Sequence, residues 1–227
     1  MTICSHTLVK NGMPFIDKVL ERALPFVDRM IITVSEKSDD GTREALSEFL
    51  SRHNGRSIEI YTEDVKYPAD LTEERQKQVD MTTEDWIWFL DDDDFYPILT
   101  IKSALTWINS GVKLDALALN PYQVLDRKGY DSSWRNKWFT KFFRNKDINY
   151  RKPWPRDLIF KGDEMLYWRT NGRVVRIPDK YFHLSGIKDH SFRNEDWATS
   201  YTNDIGKYDL IPEVDRIFLR ELYDYIR

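Results

Sequence analysis

Between residue 3 and about residue 120, short apolar runs alternate with amphipathic stretches, and that alternation leaves the chain few architectures. "TICSHTLVKNG" reads as a strand leaving on a Lys-Asn-Gly turn. "MPFIDKVLERALPFV" places Phe15, Ile16, Val19, Leu20, Ala23 and Leu24 on one helical face, with Pro14 suited to the first turn. "RMIITVS" is β-branched and reads as a buried strand, followed by the turn-rich "EKSDDGT". "REALSEFLSRHNG" predicts a second helix with Ala45, Leu46, Phe49 and Leu50 inward and Gly55 as its stop. "SIEIYT" and "WIWFL" are further strands, separated by the polar helix "LTEERQKQVDMTTE". "TIKSALTWINSG" predicts a helix capped by Thr100 and ended by Gly111; "LDALALNPYQVLD" is a fifth strand or a hairpin start. Such alternation predicts an α/β fold, an open sheet with helices on both faces.

Beyond residue 125 the pattern degrades into mixed aromatics, bases and prolines. "RVVRIP" reads as a short strand and "IPEVDRIFLRELYDYIR" as a closing amphipathic helix. No linker composition marks a boundary. We expect a single domain over 1–227, with a regular half at 1–125 and a less regular half at 126–227.

Composition narrows the function classes. Hydrophobic residues are 41% and charged residues 32% of the 227, a globular balance and not a disordered one. Aromatics reach 14%, more than a core needs, and such an excess often lines ligand sites. The one cysteine, Cys4, excludes an internal disulfide and fits a reducing cytoplasm. No apolar run approaches the roughly 20 residues of a membrane span, and the N-terminus lacks secretory-signal character. We therefore expect a cytoplasmic protein. Net charge is −4, unevenly spread: residues 1–100 carry 21 acidic against 11 basic side chains, and residues 127–176 carry 14 basic against 5 acidic. An acidic half can hold a metal and a basic segment can hold phosphate.

The densest charge is "WIWFLDDDDFYP", residues 86–97, where four aspartates follow a strand that reads as buried. Neighbouring carboxylates repel and raise one another's pKa, so a divalent cation or open water must relieve them. In an extended chain Asp91 and Asp93 point one way and Asp92 and Asp94 the other, and each pair can share a cation. Mg²⁺ and Mn²⁺ take hard oxygen ligands, commonly one or two carboxylates plus substrate phosphates. Ligands of open α/β sheets sit beyond the carboxyl ends of strands, where this cluster falls. "TVSEKSDDGT", residues 33–42, also follows a buried strand; its Asp-Asp-Gly-Thr supplies turn and cap chemistry, and Glu36 or Asp40 could accept from a base or ribose. Between 134 and 161 basic residues, among them Lys141 and Arg144, alternate with aromatics such as Trp138, Phe142, Phe143 and Tyr150. Such interleaving suits a sugar diphosphate, an anionic acceptor or nucleic acid. Cys4 reads as a small core residue.

"TLVKNG", "IITVSEKSDDGT" and "WIWFLDDDDFYP", in that order over roughly residues 5–100, resemble the GT-A glycosyltransferases, especially inverting family 2. The resemblance implies a Rossmann-like mixed sheet, a UDP-sugar or similar donor, and Mn²⁺ or Mg²⁺. It implies nucleotide-sugar contacts at Val9, Asn11, Glu36, Asp40, Arg75, Asp91 and Asp92. Asp93 becomes the leading metal ligand, with Asp91 a second candidate ligand that lies nearer the ribose. Ser35 stands where the family has its first loop acid. "FKGDEMLYWRTNGRVVRIPDKYFHLSG" resembles a later family segment, which implies a general base at Asp163 or Glu164, with Asp157 as a rival, and a late histidine, His183, near the metal or diphosphate. We expect the acceptor to be a glycan or a hydroxymethylated DNA base, the DNA reached through residues 134–161. Two alternatives stand beside this reading: a nucleotidyltransferase of similar fold, disfavoured by the single glycine of "TLVKNG", and a non-catalytic nucleic-acid module, which leaves the aspartates unexplained.

Overall fold

The computed structural model describes residues 1–65, 71–124, 129–131, 137–151, 158–162, 164–166, 173–184, 208–210 and 212. The chain opens with β1 (Ile3–Val9), α1 (Ile16–Ala23), β2 (Arg29–Ser35), α2 (Thr42–Arg52), β3 (Ser57–Glu63), α3 (Leu71–Asp80), β4 (Trp86–Phe89), β5 (Asp94–Phe95) and α4 (Ile98–Asn109). It continues through β6 (Ala116–Gln123), β7 (Gly129–Asp131), β8 (Phe139–Arg144), β9 (Ile148–Arg151), β10 (Leu158–Lys161), β11 (Glu164–Met165), β12 (Val174–His183) and β13 (Tyr208–Leu210).

One eight-stranded sheet dominates, in the order β3-β2-β1-β4-β8-β6-β12-β5. β3, β2, β1 and β4 are parallel; β8 runs antiparallel to both β4 and β6. Every residue of β1, at the centre of the parallel part, is buried, as expected for a strand covered on both faces. The expected α/β sheet with helices is therefore present, and it is mixed. β8 and β12 lie beyond residue 126 yet are strands of this same sheet. β9–β10–β11 and β7–β13 form two small separate sheets.

Local sequence explains the helices. Ile16, Val19, Leu20 and Ala23 recur at the spacing of one helical face, and all are buried. Gly41, just before α2, has φ 91°, a left-handed conformation that a side chain resists. α3 is polar yet buries Glu74, Arg75 and Gln78, because it meets polar groups of the central strands: the Gln78 amide donates to the Thr7 carbonyl at 2.8 Å and the Thr33 hydroxyl at 3.0 Å.

Several details differ from expectation. Leu50 is 40% exposed, because α2 meets the sheet through Thr42, Leu46 and Phe49. Pro14 precedes α1, which starts at Ile16. Thr100 does not cap α4; that helix begins two residues earlier, and the Thr100 hydroxyl donates to the Lys180 carbonyl at 2.7 Å, fastening α4 to β12. β12 runs to ten residues, well beyond "RVVRIP", and continues past a bulge between Ile177 and Lys180. The helix expected at the C-terminus lies outside the described residues.

Candidate active site

The turns after β1, β2 and β4 leave the same edge of the parallel strands, and the aspartate quartet sits there. The Leu90 N–H still donates to the His6 carbonyl at 3.0 Å, so β4 effectively ends one residue before Asp91. The Asp94 N–H then donates to the Asp91 carbonyl at 3.1 Å, closing a turn. β5 emerges from that turn to pair antiparallel with the end of β12, opposing Asp94 to His183 and Phe95 to Phe182. The Leu184 N–H donates to the Asp93 carbonyl at 2.8 Å. Backbone register thus delivers His183 to the aspartates.

The turn changes the pairing expected for an extended chain. An i to i+3 turn brings Asp91 and Asp94 to one side, where the Lys141 ammonium on β8 meets both, at 2.6 Å and 2.5 Å. The other oxygen of Asp91 lies 3.4 Å from Arg75, whose guanidinium stacks 3.7 Å from the Phe89 ring. The other oxygen of Asp94 lies 2.8 Å from His183 Nδ1, which is also 3.4 Å from Asp93. Asp92, Asp93 and Asp94 are buried, so open water is not what relieves the quartet. An internal lysine relieves half of it.

The charges respond accordingly. Burial pushes Asp91 up, but Lys141 and Arg75 outweigh it and hold the carboxyl well below the usual range. Asp94 goes the other way: full burial raises it despite Lys141. Burial opposes the Lys141 charge, yet the two carboxylates push its pKa above the ordinary lysine value. Burial likewise opposes protonation of His183, and Asp93 and Asp94 overcome it, raising the ring to about 9.

Other expected site residues fall at the same edge. Asn11 accepts from the Asp39 N–H at 3.1 Å, joining the loop after β1 to the loop after β2. Asp40 does the same more strongly: one oxygen accepts from the Met13 N–H at 2.8 Å, the other from the Thr42 N–H and hydroxyl at 3.1 Å and 2.5 Å. The Val9 side chain is fully buried, and Glu36 is exposed at the end of β2. At Gly12 a side-chain carbon would stand 2.6 Å from Val9 Cγ2 and 3.2 Å from an Asp92 oxygen, so only glycine lets this loop pass so close to the acidic turn. Asp157 and Asp163 lie outside the described residues; Glu164 is in β11, and its side chain is likewise outside them.

The basic aromatic stretch is largely interior where it is described. Lys141 is 4% exposed and ion-paired, which corrects the expectation of a phosphate-contacting surface residue. Phe142, Phe143 and Tyr150 are core residues. Arg144 lies over the Trp86 ring at 5.2 Å and donates to the Leu114 carbonyl at 3.2 Å. Sequence reasoning missed what Lys141 does. The available signal was a cation inside an aromatic strand, "FTKFFR", because a buried ammonium requires an internal anion.

The mixed eight-stranded sheet with its helices is Rossmann-like and has the GT-A glycosyltransferase fold. The chain belongs to glycosyl transferase family 2, whose family model matches residues 9–169. Among solved structures, S. aureus TarS 1-349 is similar at 13% identity with a TM-score of 0.53, covering 80% of this chain and 60% of that one. A longer S. aureus TarS structure gives 15% identity and a TM-score of 0.52, again over 80% of this chain but 36% of that one. The mannosyltransferase PcManGT from Pyrobaculum calidifontis, in complex with GDP-Man and Mn2+, gives 11% identity and a TM-score of 0.51 over 99% of this chain and 69% of that one. These likenesses are of fold, and the chain spans only part of the TarS length. No curated protein matches it.

The family commonly uses a divalent metal, and the donor set fits one. Asp93, Asp94 and His183 each offer a ligand atom, all within 4.8 Å of one another. Oxygen donors with one imidazole suit Mn²⁺ or Mg²⁺, the imidazole favouring Mn²⁺. His183 Nδ1 faces both carboxylates, at 2.8 Å from Asp94 and 3.4 Å from Asp93. Among the described residues, no helix is long and apolar enough to cross a membrane.

Proposed function

We propose that the protein is a metal-dependent glycosyltransferase that moves a sugar from a nucleotide-diphosphate sugar, foremost a UDP-sugar, to an acceptor hydroxyl with inversion. The observation that carries this is the meeting of Asp93, Asp94 and His183 at the carboxyl ends of parallel strands in a family 2 chain. The GDP-Man and Mn2+ bound to the similarly folded PcManGT add support.

Asp93 and His183 would hold Mn²⁺ or Mg²⁺, and the bound cation would supply charge neutralisation at the leaving diphosphate. Asp94 positions His183. Asp91, braced by Arg75, is assigned to the ribose side, and Asn11, Glu36 and the backbone at Val9 to the nucleotide. Asp92 is assigned to the donor beside Gly12, and Asp40 acts by tying the two loops together. The acceptor oxygen forms its bond to the anomeric carbon as the bond to the diphosphate oxygen breaks, and that electron pair leaves with the nucleoside diphosphate. The acceptor proton passes to a carboxylate, Asp163, Glu164 or Asp157. The part of 126–227 outside β8 and β12 is assigned to the acceptor, a glycan or a hydroxymethylated DNA base.

Calorimetric titration of UDP with and without Mn²⁺ tests the reading. Binding is expected to require Mn²⁺ and to disappear in Asp93→Ala. Equal binding without metal, or an unaffected variant, overturns it.

A further inference from the structure

The Lys141 ammonium is buried between two carboxylates of the acidic turn, and the metal chemistry above makes no use of it. We propose that Lys141 is a positioning residue that closes half of the quartet, so that the turn takes one divalent cation, at Asp93 and His183, and not two. This rests on the metal-dependent reading above.

The oxygen-by-oxygen pairing carries the argument. Asp91 gives one oxygen to Lys141 at 2.6 Å and the other to Arg75 at 3.4 Å. Asp94 gives one oxygen to Lys141 at 2.5 Å and the other to His183 at 2.8 Å. All four oxygens of these two carboxylates therefore have a partner inside the fold, three contacts being to Lys141 or Arg75 and the fourth to the His183 ring. A two-metal centre needs carboxylates that bridge ions about 3.5–4 Å apart. The space between Asp91 and Asp94 that such a second ion would occupy holds the ammonium instead. Phe89 and Tyr181, with ring centroids 4.9 Å and 5.4 Å from Nζ, wall it in. Lys141 is thus the fixed counter-cation of the Asp91–Asp94 pair, leaving Asp93 beside His183.

The test counts ions. Wild type is expected to bind one Mn²⁺ per chain by calorimetry, and Lys141→Met two, with sugar transfer reduced because Asp91 is no longer held. Lys141→Arg, which keeps the charge, is expected to return to one. One ion in both wild type and Lys141→Met overturns the proposal and leaves the metal-dependent reading intact; so do two ions in wild type. No Mn²⁺ bound by wild type overturns both. Should Lys141→Met fail to fold, lysine-¹⁵N spectra of the unmutated protein decide: a slowly exchanging ammonium signal that persists with Mg²⁺ bound supports the proposal. Its disappearance on adding Mg²⁺ overturns it.

Discussion

His183 Nδ1 lies 2.8 Å from Oδ1 of Asp94, a residue 89 positions earlier in the chain. The contact follows from the antiparallel register of β5 and β12, which sets the two residues directly opposite. A histidine that ligates a metal through one nitrogen is commonly oriented by a carboxylate on the other.

Asp94→Asn removes that carboxylate's charge and leaves the Asp93 and His183 side chains in place. We expect Mn²⁺ affinity to fall about 10- to 100-fold, the usual cost of losing an orienting partner behind a metal-bound histidine. Isothermal calorimetry against the wild type measures it, and an unchanged dissociation constant contradicts the assigned role.

Gly12→Ala puts a methyl carbon 2.6 Å from Val9 Cγ2 and 3.0 Å from Ile16 Cβ. Both neighbours are fully buried and cannot retreat freely. Overpacking of this kind costs about 1–3 kcal/mol, read as a lower urea midpoint at unchanged slope.

Asp40→Ala deprives the Met13 N–H, the Thr42 N–H and the Thr42 hydroxyl of their shared acceptor. Losing hydrogen bonds to a charged group costs about 2 kcal/mol, and in a chain of this size each kcal/mol lowers Tm by about 2–4 °C. A melt lower by roughly 4–8 °C is expected. A melt within a degree of wild type would show that the two loops are joined by something else.

The buried His6 ring is 2.6 Å from the Thr82 hydroxyl, and burial, reinforced by Arg75 and Arg29, lowers its pKa to about 3. The unfolded chain takes that proton near pH 6.5, so between the two values the unfolded state holds more protons. The neutral ring's contribution is intact above pH 6.5 and declines as pH falls toward 3. Acidification from pH 8 to pH 5 is expected to cost about 2 kcal/mol through this residue alone. Urea unfolding of wild type and His6→Gln at both pH values measures it, and the variant should lose that part of the pH dependence. Equal pH dependence in the two proteins contradicts a neutral buried His6.

The parallel half of the fold was legible because its signals are local. The spacing of Ile16, Val19, Leu20 and Ala23 and the β-branched run of β2 each follow from periods of 3.6 or 2 residues. The acidic turn was legible as a feature, and family resemblance placed His183 near it. The insertion of β8 between β4 and β6 carries no periodic signature. It depends on pairing strands far apart in sequence, and the aromatics of "FTKFFR" read equally well as a surface until that pairing is known.

The sequence by itself determined the alternation of strands and helices, and with it the carboxyl edge where Asn11, Glu36, Asp40 and Asp91–Asp94 collect, because backbone periodicity and turn chemistry act over a few residues. Which partner each carboxylate takes was decided by the tertiary structure. Lys141 reaches Asp91 across 50 residues of chain only once β8 lies beside β4, and His183 reaches Asp94 only through the end of β12. Charge pairing in a buried site falls off over a few ångströms, so it is governed by which strands become neighbours and is invisible to any local reading of the chain.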